Sequence, residues 1–171
     1  LSLSLAMAAG NPLRADVVGW WRFEDDPGFA ADSSGRGYSL TAEGEGGPTQ
    51  VAAEEGFDNP LPQTGDTNLK AADFDGTGNF YVEDQPAFNF GSQMTVEAYF
   101  RIDSWKESVA MLAGQFASTA GQQSWFFGVR QDTGALQFRA SENGTQHVNY
   151  TGDLPAVQQN QDYYAAAVFD G

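Results

Sequence analysis

The chain contains no cysteine, which excludes disulfide staples, thiol catalysis and thiolate metal centres together. That absence leaves the compartment open, because a chain of 171 residues buries enough surface to be secreted without a bridge. Cations are scarce: 8 Lys and Arg stand against 23 Asp and Glu, a formal charge of -15. Such a chain repels a phosphate backbone and lacks the basic patch that nucleic acid requires. The single histidine, His147, has no second ligand or hydroxyl partner at a recognisable spacing, so it reads as a surface or turn residue rather than part of a zinc site or a triad. The apolar run Leu1 to Ala9 is shorter than the roughly 20 residues of a helical membrane span.

Aromatic residues are plentiful, with 13 Phe, 6 Tyr and 4 Trp, and the 20 Gly and 7 Pro are dispersed rather than periodic. This composition predicts one domain of short strands and turns. Residues 1–15 resemble the end of a secretory signal peptide, with Ala9 or Ala15 near a cleavage point, or else an exposed disordered leader. The expected location is therefore secreted, extracellular or at the cell surface. Residues 16–171 form the expected sandwich domain, with an irregular insertion around 43–65, where Gly, Pro, Glu, Asp and Gln dominate.

Alternation predicts a first strand over Val17 to Glu24, with Val17, Trp21 and Phe23 inward and Arg22 and Glu24 outward, and a short strand over Tyr38 to Leu40. Leu69 to Phe74 is expected to restore order, and Asp75-Gly76-Thr77-Gly78 to turn a hairpin back through Phe80 and Val82. The clearest strand places Met94, Val96, Ala98, Phe100 and Ile102 on one face. Val109 to Phe116 is its expected partner, followed by Trp125 to Arg130, by Leu136 to Ala140 after the Asp132-Thr133-Gly134 turn, and by Asp162 to Phe169 before a turn at Asp170-Gly171. Short reversals of this kind favour antiparallel pairing.

In order, Trp20-Trp21-Arg22-Phe23, the Asp32-to-Gly37 loop, Phe74-Asp75-Gly76 before Phe80-Tyr81-Val82, and Thr95-Val96-Glu97-Ala98-Tyr99 make the chain, from about Val17 to Gly171, resemble the LamG-like (laminin G domain 3) branch of the concanavalin A-like lectin and glucanase superfamily. The resemblance implies an all-β, two-sheet antiparallel jelly-roll sandwich, truncated at its C-terminal end because family members continue past the element here read as Phe169-Asp170-Gly171. The chain departs from the family pattern at Asp162, Tyr163 and Tyr164, where Trp and His are usual.

The resemblance further implies a structural calcium ion bound through Asp32, for which Asp26 and Asp170 are candidate additional ligands, since calcium takes six to eight oxygens. The other reading of Asp32 is a local acceptor for turn amides. Trp105, Tyr81, Tyr99, Trp125 and Tyr150 are the candidate aromatic platform for a sugar; a sandwich core is expected to take most of them and leave one or two accessible, with Trp105 expected to be the most exposed because Asp103, Ser104, Lys106 and Glu107 surround it. Glycoside hydrolysis needs two carboxylates roughly 5 to 9.5 Å apart. The Glu-x-Asp-x-Glu strand of the glucanases is missing, and Glu97 stands alone on the solvent side of its strand. The expected function is thus a non-catalytic recognition or adhesion module within a larger secreted protein, with a polysaccharide, cell-surface glycan or extracellular protein as partner. The alternatives are a structural or protein-interaction domain without a sugar site, or an accessory domain of a polysaccharide-degrading hydrolase.

Overall fold

The longest alternating segments build the centre of the molecule. Gln93–Arg101 (β5) directs Met94, Val96, Ala98 and Phe100 to one face, as the alternation predicts, while Thr95 and Glu97 stay exposed. Its partner is Asp162–Asp170 (β10), antiparallel over nine residue pairs from Asp162 opposite Arg101 to Asp170 opposite Gln93. The predicted partner of β5, Val109–Phe116 (β6), instead pairs with Gln123–Arg130 (β7) in a second sheet that continues through Leu136–Ala140 (β8) to Val148–Thr151 (β9). Asp170 remains in its strand rather than opening a turn.

These strands belong to a computed structural model that describes residues 16–25, 28–52, 65, 67–117, 121, 123–152 and 154–170. The leader at 1–15 lies outside them. Among the described residues the regular structure is ten strands and one short 3-10 turn, Pro86–Phe88, and every strand pairing is antiparallel. The protein is all-β. No helix among the described residues is long and apolar enough to cross a membrane.

The apolar faces of the two larger sheets meet in one core. Phe100, Ile102 and Ala165 from the side of β5 and β10 pack with Phe127, Val129 and Phe138 from β7 and β8, and Val157 closes one end. Phe138 reaches Phe169 with ring centroids 6.3 Å apart, and Phe100 stacks on Tyr163 at 5.9 Å. Burying each of the Phe, Ile and Val side chains contributes about 1.5–3 kcal/mol, offset by the entropy of ordering the chain. β9 lies beyond the cover of this core, leaving Val148 and Tyr150 exposed although they pair with Ala140 and Phe138.

Before β5 the pairings are non-local. Thr41–Gly44 (β1) pairs with Gly78–Tyr81 (β4), and Thr49–Ala52 (β2) with Lys70–Asp73 (β3). The segment 43–65 is therefore not irregular throughout. The Asp75 turn also joins strands of different pairs instead of closing a hairpin: Thr77 N donates to Asp75 Oδ1 at 2.7 Å, a local bond that serves the turn whichever strands it joins.

The predicted first strand is not formed. Val17 is exposed, and only Trp21 makes an isolated bridge, to Asp32. Phe23 has φ of 61°, a left-handed conformation that ends an extended strand and is costly for a bulky residue. Two compensations hold it there: the Phe23 ring stacks on Phe80 at 5.9 Å, and Gln50 Nε2 donates to Phe23 O at 2.8 Å and Asp25 O at 3.2 Å. Tyr38 to Leu40 is likewise not a strand. Its carbonyl at Tyr38 accepts from Trp21 Nε1 at 2.8 Å instead.

Candidate functional site

On the outer face of the four-stranded sheet, β7 and β8 bring four residues together by register alone. Phe126 is paired with Arg139 and Gly128 with Gln137, and opposite residues of an antiparallel pair point to the same side. The Phe126 ring leans along its own strand over Gly128, so that a Cβ at Gly128 would lie 2.6 Å from Phe126 Cζ and 2.5 Å from Ala110 O. Only glycine leaves room for the ring to lie flat on the sheet.

Arg139 covers that ring. Its guanidinium carbon lies 5.2 Å from the Phe126 centroid and 5.9 Å from that of Phe116, within the range of cation–π attraction. Nη2 donates to Gln137 Oε1 at 2.9 Å, and Gln137 Nε2 donates in turn to Asn149 Oδ1 at 3.2 Å. Because Arg only donates, the Gln137 amide must present its oxygen to Arg139 and its nitrogen to Asn149. Gln137 is 4% exposed, so the relay is rigid where the guanidinium is anchored. Arg139 Nε is buried without a hydrogen-bond partner, and among the described residues no carboxylate forms an ion pair with this guanidinium.

Beside Arg139 the surface opens into a groove of about 590 Å³, lined by Ser108, Val109, Arg130, Asp132, Gln137 and Arg139 among others. Arg130 is held by Asp132 in a two-pronged ion pair, Nε to Oδ1 at 2.9 Å and Nη2 to Oδ2 at 2.5 Å. That hydrogen bond holds the Asp132 carboxyl below the usual carboxylate range and spends the Arg130 charge inside the pair. Among the described residues that line the groove, two guanidiniums thus stand with one carboxylate, which is paired with Arg130, in a chain of net charge -15. Arg139 supplies the uncompensated charge.

None of the five sequence-predicted aromatic residues lines this groove. Trp105, expected to be the most exposed, is half-buried and packs with Trp125 against the core; its polar neighbours in sequence report a loop, not the direction of the indole. Tyr81 is at the exposed end of β4 and Tyr150 on β9 is exposed. Tyr99, half-buried, is paired with Tyr164 on the outer face of the other sheet. Tyr164 accompanies Glu97 there: burial and a hydrogen bond to Glu97 raise its pKa above the ordinary phenol value. The five residues are dispersed over both sheets and do not form one platform. His147 is half-buried with Nδ1 3.0 Å from Gln123 Oε1 and its ring edge-on to Phe116 at 5.7 Å, a supporting position beside the Arg139 stack.

The acidic candidates separate as well. Asp26 lies outside the described residues. Asp170 accepts from Gln93 Nε2 at 2.7 Å at the end of β10. Asp32 is saturated by protein donors: Oδ1 accepts from Ser34 N at 2.8 Å and Trp20 N at 3.1 Å, and Oδ2 accepts from Ser34 Oγ at 2.7 Å and Tyr38 N at 3.0 Å. Four donors occupy about the four lone-pair positions of a carboxylate. Burial raises the Asp32 pKa, but the hydrogen bonds from Ser34, Trp20 and Tyr38 outweigh it and bring the value down to about 2. No group of three or more His, Cys, Asp or Glu side chains placed to hold a metal ion occurs among the described residues.

Because the folded Asp32 binds its proton less readily than the unfolded chain does, its contribution to stability is present above about pH 4 and is lost as pH falls through about 2. Linkage caps the contribution at roughly 2.5 kcal/mol, and solvent around this loop reduces it to about 1 kcal/mol. Asp32→Asn is expected to lower stability near pH 6, with the deficit shrinking toward zero at pH 2. Urea unfolding of both proteins across that range measures it, and a deficit independent of pH would remove the carboxylate from the account.

No family model, no curated protein and no solved structure matches the chain.

Proposed function

We propose that the protein is a non-catalytic recognition module, with a concanavalin A-like jelly-roll sandwich and an extracellular role, that holds a glycan in the groove beside Arg139. The observation that carries this reading is the preorganised guanidinium: Arg139 is fixed by Gln137 and by two phenyl rings at the edge of a groove open to solvent. Immobilising such a side chain in advance lowers the entropic cost of binding, and an open groove of this size suits a segment of a polymer.

Support for the non-catalytic part comes from the carboxylates. Among the described residues Asp132 is the one carboxylate that lines the groove, its charge committed to Arg130 and its pKa lowered by that bond, whereas glycoside hydrolysis requires a raised general acid and a second carboxylate. At Asp32 the four protein donors support the role of turn acceptor over that of calcium ligand. Retention on a panel of immobilised neutral and acidic polysaccharides is the test. Binding to at least one polymer, lost in Arg139→Ala and kept in Trp105→Phe, is expected, and no retention on any polymer would contradict glycan recognition.

A further inference from the structure

Building on that reading of the groove, we infer that its ligand is an anionic polysaccharide, whose carboxylate or sulfate oxygens seat on the free edge of the Arg139 guanidinium. A guanidinium carries five N–H donors in a planar fork. Among the described residues Arg139 gives one bond, to Gln137, and Nε is enclosed, so the donors left over belong to the terminal nitrogens. The Phe126 and Phe116 rings, whose centroids lie 5.2 and 5.9 Å from the guanidinium carbon, restrict the movement of the fork, whose terminal donors suit two parallel bonds to a pair of anionic oxygens.

Charge distribution argues in the same direction. A neutral sugar needs no cation, and this chain carries only 8 Lys and Arg, yet two of them line one groove in which the described residues include one carboxylate. The surrounding negative surface repels an anionic polymer at long range, but at physiological ionic strength such repulsion is screened beyond about 8 Å. A direct contact in the groove is shorter than that. Repulsion from the surrounding carboxylates then disfavours other placements of an anionic chain and leaves the contact with Arg139 as the attractive one in this groove, a use of unfavourable contacts to secure specificity.

Oligogalacturonate and its fully methyl-esterified form, matched in length, separate charge from sugar recognition; dextran sulfate against dextran does the same for sulfate. Calorimetric titration in 0.15 M salt is expected to show at least one anionic member binding more than 10-fold tighter than its neutral counterpart. Arg139→Gln should weaken that binding at least 30-fold, and Arg139→Lys, which keeps charge but loses the fork, by an intermediate factor. Asp132→Asn acts in the opposite direction: it alters an exposed side chain, releases Arg130 into the groove and should tighten anion binding about 3-fold, so it tests the inference even if Arg139→Gln fails to fold. Equal binding of charged and neutral members would overturn the anionic preference while leaving glycan recognition standing. Anion binding unchanged in Arg139→Gln and Asp132→Asn alike would place the ligand elsewhere and overturn the inference, and no binding by any member would remove both.

Discussion

Phe127→Ala is expected to lower the stability of the protein by about 4 kcal/mol, the usual cost of replacing a fully enclosed phenyl ring with a methyl group. Phe127 is 2% exposed and lies in register between Ala113 on β6 and Phe138 on β8, facing the core that β7 and β8 share with β5 and β10. Its removal costs the transfer energy of the ring and leaves a cavity that two flanking strands, fixed by their ladders, cannot collapse to fill. For a chain of this length the midpoint of thermal unfolding should fall by roughly 10 °C. Met111→Ala, on the outer face of β6 and 57% exposed, should change stability by less than about 0.5 kcal/mol. Urea unfolding with unchanged slope measures both. A loss below about 1 kcal/mol for Phe127→Ala would mean that the two sheets do not pack across this residue.

Gly128→Val should cost about 3 kcal/mol by overpacking and, in addition, should disorganise the groove. A Cβ at that position would meet Ala110 O at 2.5 Å, and that carbonyl belongs to the adjoining strand, which cannot withdraw without disturbing the β6–β7 ladder. It would also meet the Phe126 ring at 2.6 Å, lifting the surface on which Arg139 rests. Gly91→Ala offers the contrast, because nothing lies within 4 Å of its added Cβ and the change should stay within about 0.5 kcal/mol. Denaturant unfolding reports the first effect. The second appears as a shift of the Arg139 side-chain resonances away from their ring-current positions, and Arg139 signals unaltered in Gly128→Val would separate the guanidinium from the Phe126 floor.

What the sequence made legible were the elements whose period is set by burial on one side. β5 alternates because its inner face meets the core and its outer face does not, and β7 and β8 are joined by the Asp132-Thr133-Gly134 turn that the chain advertises. β1 was not legible because Thr41, Ala42, Glu43 and Gly44 are all exposed, so nothing imposes an apolar period on them. Which strands neighbour one another was also hidden. β5 pairs with β10 across 60 intervening residues, and alternation, being local, carries no information about so distant a partner. At Val17 to Glu24 the pattern was strand-like, but tertiary packing overrode it through the Phe23–Phe80 stack and the left-handed backbone at Phe23.

The candidate site followed the same division. Trp105 and Trp125 pack inward; a sequence does not say which aromatics a sandwich needs for its own core. Arg139 and Gln137 match no binding motif, though Leu136-Gln137-Phe138-Arg139-Ala140 places two long polar side chains on the side of the strand opposite Phe138. In a chain so poor in cations, that pattern was the available signal. The glycine that accommodates the Phe126 ring became meaningful only when its distance to Ala110 O was known.

The most direct test of the account is a titration of isotopically labelled protein with the anionic oligosaccharide that binds best, followed by NMR at every backbone amide and at the Arg139 side chain. The perturbed signals are expected to cluster at Val109, Arg130, Gln137 and Arg139, which line the groove. A cluster at Tyr99 and Tyr164 on the outer face of the opposite sheet, with Arg139 unmoved, would contradict it.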